Sequence, residues 1–129
     1  MKYELLYVEL KSGFNDNGPA WIGRGYRSKS GRTIYFNDQA FHPMGGQGIK
    51  GNYMNIETSD EYWISGVKKN QEDRHWAGSG LIMIDEQVVE EYLTIIETKS
   101  LDERKFKIVK LNQGNVRERI NEYENRKLI

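Results

Sequence analysis

The chain has 129 residues, no cysteine, and 19 basic against 19 acidic side chains. That length allows one domain with a core of its own, and the missing cysteines exclude disulfides, thiolate metal sites and cysteine nucleophiles, as suits a cytoplasmic protein. Zero formal net charge lacks the basic excess of a dedicated nucleic-acid binder.

The opening MKYELLYVEL carries Glu4 and Glu9 inside its apolar run. It is expected to be neither a signal peptide nor a membrane span, and residues 3–10 read as a first strand. SGFNDNGP follows as a loop. Residues 20–27 form a strand interrupted by Gly23 and Gly25, where glycine marks a bulge, a bend or close approach of another backbone. SKSG is a tight turn and TIYF a β-branched and aromatic strand, so the two strands make a hairpin. Residues 37–52, with four glycines and a proline, read as one long loop of the kind that carries function. Strands at 53–57 and 62–67 make a second hairpin. Then come a loop at 68–80 and a short strand at 81–84.

At Asp85 the period changes. Asp85 can cap a helix, Ile84 and Val89 can staple it, and Val88, Val89, Tyr92, Leu93 and Ile96 recur at helical spacing. The expected helix spans about 86–97. KFKIVKL, residues 105–111, reads as a further strand. Asn115 can cap a last helix with Val116, Ile120 and Tyr123 on one face. The expected fold is α+β: a small antiparallel β-barrel or bent sheet, SH3-like, followed by C-terminal helices. Residues 1–98 would form the β-rich domain with its closing helix. Residues 99–129 would be an extension packed on it or on a partner subunit.

The candidate chemistry is sparse. Gly46 to Gly51 spells G-x-G-x-x-G, but a dinucleotide site needs a strand before it and a helix after it, and a strand-like YMNIE follows. His42 and His75 are the only histidines, without metal-ligand spacing, so neither metal nor cofactor is expected. His75 is the candidate general acid/base, with Asp73 or Glu72 to orient it. Gly78-Ser79-Gly80 lacks the strand-turn-helix context of a nucleophile elbow. The aromatics are the fuller signal. Tyr62 and Trp63 are adjacent, as are Tyr35 and Phe36, so one of each pair points away from the barrel interior. Charge is also segregated. Arg24, Arg27, Lys29 and Arg32 lie in a stretch without acids, while Asp85, Glu86, Glu90, Glu91 and Glu97 lie in one without bases.

The blocks SGFNDNGPAWIGR, SKSGRTIYFN, GNYMNIETSDEYWISGVKKNQEDRHWAGSG and IDEQVVEEY resemble those of a family of small uncharacterised bacterial proteins, over roughly residues 3–93. Members sometimes carry the label 1-deoxy-D-xylulose-5-phosphate synthase. Enzymes of that class are much longer thiamine-diphosphate proteins with a GDG motif, and no GDG occurs here. The label is therefore an error for this chain, and the resemblance implies a single-domain cytoplasmic protein without assigning any catalytic residue.

The reading that follows is a non-enzymatic binding module. It uses the 37–52 and 68–80 loops, with Arg24, Trp63, Lys68, Lys69, Arg74, His75 and Trp76 as contacts. A protein or peptide is the expected partner, ahead of nucleic acid, and no membrane is involved. Two alternatives are a small enzyme built on His75 and Asp73, and a homodimer paired through helix 115–128.

Overall fold

Strand β1 (Glu4–Leu10) is buried on both faces, with Leu6 and Val8 on one side and Leu5, Tyr7 and Glu9 on the other. Such a strand needs cover above and below, and the fold supplies both. The computed structural model describes residues 2–14, 17–44, 51–74, 80–112 and 114–127. Next come β2 (Ala20–Arg27), β3 (Ile34–Phe36), β4 (Gln39–Pro43), β5 (Tyr53–Asn55) and β6 (Glu61–Gly66). These six strands pair antiparallel in the order β1-β6-β5-β4-β3-β2, and β1 pairs with β2 to close a barrel.

The interior holds Leu6, Val8, Ile34, Phe36, Phe41, Tyr62 and Ile64. A six-stranded barrel is too narrow for a side chain at every inward position, and the two glycines of β2 answer that limit. A Cβ on Gly25 would lie 2.1 Å from Leu6 Cδ1, and one on Gly23 would lie 2.8 Å from Leu111 Cδ1 and 3.1 Å from Phe36 Cε2. The close approach anticipated at these glycines is thus of neighbouring side chains, not of another backbone.

β2 also divides its second edge. Gly25–Arg27 pair with β3, while Ala20–Ile22 pair in parallel with β7 (Ile82–Asp85), which in turn pairs in parallel with β8 (Phe106–Val109). Leu111 packs against the interior cluster and meets Gly23, at the point where β2 changes neighbour.

The two helices cover outer faces. Asp85 caps a 3-10 turn (Glu86–Val88), its carboxylate accepting from the Gln87 amide at 3.2 Å, and α1 (Val89–Ile96) continues from it. Val88, Tyr92 and Ile96 bury against Leu5, Tyr7, Ala20, Ile22, Ile82 and Ile84. α2 (Val116–Lys127) starts with Asn115 accepting from the Glu118 amide, and packs Tyr123, Ile120 and Val116 on Tyr35 and Ala40. The C-terminal extension therefore packs on the barrel. No helix among the described residues is long and apolar enough to cross a membrane.

One expectation is corrected. Residues 37–52 are not one loop, because Gln39–Pro43 is a strand. Phe36 pairs with Gln39 across a two-residue turn in which Asn37 and Asp38 both have positive φ, 50° and 60°. Asn and Asp tolerate that conformation, which a type I′ hairpin requires. The same turn docks the C-terminal segment: Asn37 Oδ1 accepts from the Asn112 amide at 3.0 Å, and Asp38 accepts from Arg119 Nε at 2.8 Å and Nη2 at 3.2 Å.

Candidate functional site

The segment that joins β6 to β7 packs its described part, residues 67–74, on the outer face of β1, where Arg74 meets Glu9. It leaves beside Leu6, the partner of Gly66, and enters β7 beside Ala20, near the opposite end of β1. Its first turn is built by side chains. Asp73 Oδ1 accepts from the Lys68 amide at 2.7 Å, Asn70 Oδ1 accepts from the Glu72 amide, and Gln71 has φ 66°. Asp73 is buried, and its other oxygen meets no donor among the described residues. Burial raises its carboxyl pKa, against the opposing pull of the Lys68 amide and charge.

Beneath this strap lies a polar cluster on the outer face of β1. Glu9 is 1% exposed and sits between two cations: Lys11 Nζ at 2.9 Å and Arg74 Nη1 at 3.6 Å. The Tyr7 hydroxyl donates to Glu9 Oε1 at 2.5 Å. Arg74 Nη2 donates to the Gly18 carbonyl at 3.0 Å, which ties the strap to the β1–β2 loop. A carboxylate this deep is tolerated only with such partners. Burial and the neighbouring Glu9 push the Tyr7 phenol pKa far up, and burial followed by the Asp73 charge does the same to Tyr92. Both phenols therefore stay protonated at every physiological pH. The cluster ties the strap down, with its charges spent on one another.

The exposed chemistry lies at the end where β4 and β6 finish and β5 begins. Segments 44–52 and 67–80 both leave there, and Asn52 braces Ile64 through two 2.8 Å bonds to its backbone N–H and carbonyl. Arg24 lies over the Tyr3 ring, 4.7 Å from its centroid, and donates to Gln87 Oε1 at 3.2 Å. Arg27 pairs with Glu4 at 2.6 Å. Lys2, Tyr3, Glu4, Gly25 and Arg27 line an open groove of about 400 Å³. Lys68 and Lys69 are exposed, and Lys69 reaches Glu97 at 3.1 Å.

The sequence candidates thus separate. Arg24, Lys68 and Lys69 are on the outside. Arg74 has an 8% exposed side chain and is spent on Glu9 and Gly18. Trp63 packs against the α1 cluster. The outer aromatic of each adjacent pair is covered: Tyr35 lies under Tyr123 of α2, while Phe36 and Tyr62 face the interior. His75 and Trp76 lie outside the described residues, as do Ser79 and the first five positions of the G-x-G-x-x-G run. Its last residue, Gly51, packs against the Tyr62 backbone and leads into strand β5 rather than a helix.

Sequence reasoning missed Tyr7, Glu9 and Lys11. The signal was present: alternation places Glu9 on the same face as Leu5 and Tyr7, and a charge on a buried face calls for partners. Comparison with protein-family models, curated proteins and solved structures finds no match for this chain.

Proposed function

We propose that the chain is a cytoplasmic, non-enzymatic binding module, an SH3-like barrel that takes an acidic protein or peptide segment at the end where segments 44–52 and 67–80 leave it. The observation that carries this reading is the division of the polar groups. Glu9, Arg74, Lys11 and Tyr7 satisfy one another under the strap, while Arg24 lies over Tyr3 and Lys68 and Lys69 stay exposed. Cations beside an aromatic ring suit a carboxylate-bearing partner. In this reading Arg74 and Trp63 hold the strap and the sheet face, and His75 and Trp76 join the contact surface.

One observation favours a second reading. Asp73 keeps a buried oxygen without a donor among the described residues, two positions before His75. That pair would be the orienter and base of a small enzyme.

A thermal-shift screen separates the two. Anything that binds only the folded state raises the melting temperature by mass action. The library holds acidic peptides, short oligonucleotides, nucleotides and phosphorylated metabolites. The binding module gives a shift with acidic peptides that Arg24→Glu with Lys68→Glu abolishes and Asp73→Asn leaves intact. A shift with a small metabolite, lost in His75→Ala and Asp73→Asn but kept in the charge-reversed variant, would replace it with the enzyme.

A further inference from the structure

We propose that the outer edge of β8 is a second docking site, one that captures an extended peptide segment of the pattern acidic–β-branched–acidic as an added strand. β8 is the last strand of the sheet and pairs only with β7 among the described residues. The ladder fixes which groups face outward. The Ile82 amide donates to the Lys105 carbonyl at 2.8 Å, with Ile82 opposite Phe106. In a parallel ladder this turns the backbone of 105, 107 and 109 toward β7 and that of Phe106 and Ile108 away from it. The Phe106 amide is already bonded to the Asp102 carbonyl at 3.0 Å. The Phe106 carbonyl and both polar groups of the Ile108 peptide unit remain on the open side.

Side chains then select the guest. Ile108 is 56% exposed, a large apolar surface beside the open backbone. Lys105 and Lys107 are exposed on the other face, and Lys107 makes no ion pair among the described residues. The acids at the two ends of the strand have cations of their own, Asp102 with Arg104 and Glu86 with Lys110. A guest strand places one residue opposite Ile108, on its face, and the two flanking residues on the face of Lys107. A β-branched residue fits the first position and acidic residues fit the other two. A second copy of this chain fits poorly, because it would bring its own Lys105 and Lys107 against these. Edge lysines deter such self-pairing and leave an acidic strand as the complementary guest.

The test is an amide-resolved NMR titration of the full chain with a capped hexapeptide of alternating glutamate and valine. Binding is expected to shift the Ile108 amide. Lys107→Glu should weaken it by roughly tenfold or more, and Ile108→Pro, which removes the outward N–H, should weaken it similarly. The proline sits where no ladder bond is lost, and Lys107→Glu gives an independent readout should that variant unfold. Lys68→Glu with Lys69→Glu should leave this binding unchanged, which separates it from the surface proposed above. Three outcomes would overturn the proposal. These are no binding at millimolar peptide, binding lost only in the 68/69 variant, or concentration-dependent self-association through the edge that Ile108→Pro abolishes.

Discussion

Removing one member of the ion cluster should show what holds the strap to the barrel. Arg74→Met deletes the charged bond to the Gly18 carbonyl at 3.0 Å and the longer contact to Glu9 at 3.6 Å. Glu9 keeps Lys11 at 2.9 Å and the Tyr7 hydroxyl at 2.5 Å, so its charge is not stranded. The expected loss is about 2 kcal/mol, the scale of one charged hydrogen bond. Glu9→Leu is worse, because Arg74 and Lys11, with side chains 8% and 10% exposed, lose their shared counter-ion. That variant should lose about 3–5 kcal/mol. The double variant should cost about 1–2 kcal/mol less than the sum, since the Glu9–Arg74 contact is lost once rather than counted twice. Urea titrations at matched m-values measure all three. In a chain of this length a loss of 1 kcal/mol corresponds to a fall of roughly 3–5 °C in Tm. Single losses below about 0.5 kcal/mol, or strictly additive effects, would refute the latch.

Three further outcomes are expected. Gly25→Ala forces a methyl against Leu6, which is fully buried and has nowhere to go; it should cost about 1–3 kcal/mol by thermal melting, and Leu6→Val in the same chain should recover part of it. Tyr123→Ala should free α2 from the barrel at a cost of about 3–4 kcal/mol, while Tyr123→Phe keeps the ring and loses the 2.6 Å bond to Glu57, about 1 kcal/mol. Hydrogen exchange of amides 116–124 distinguishes a detached helix from a globally loosened fold. The Asp73 carboxyl pKa is raised by burial, so the native chain holds that proton to higher pH than the unfolded chain does. Its contribution therefore falls as pH rises from the ordinary carboxylate range, near 4, through the native value. Asp73→Asn keeps an acceptor for the Lys68 amide and removes the ionisation. Its Tm advantage should be largest at neutral pH and fade toward pH 4, and a gap that widens on acidification would refute the assignment.

Much of the architecture was legible because local rules agreed with tertiary ones. The hairpin of β2 and β3, the hairpin of β5 and β6, and the Asp85-capped helical segment follow from alternation, turn residues and capping. β4 was hidden because Asn37-Asp38 was read as loop composition, when two consecutive residues tolerant of positive φ spell a tight hairpin. The candidate site was less legible. Arg74 looks like a surface charge until Glu9, sixty-five positions earlier, is placed under it. Adjacency of Tyr62 with Trp63 and of Tyr35 with Phe36 showed that both barrel faces carry aromatics. Only the packing of the helices decides which of them stay covered.

The placement of β1 sets an order on biosynthesis. Its register joins residues 4–9 to residues 20–25 and residues 6–10 to residues 62–66. A ribosome that has released only the first two hairpin strands offers β1 one neighbour and no lid. The ring cannot close until β6 has emerged, and Glu9 lacks Arg74 until eight residues later still. The nascent chain thus carries a charged, half-covered strand while the 56 residues from Lys11 to Gly66 are made. The glutamate that would be awkward in a finished core keeps that strand hydrated while it waits.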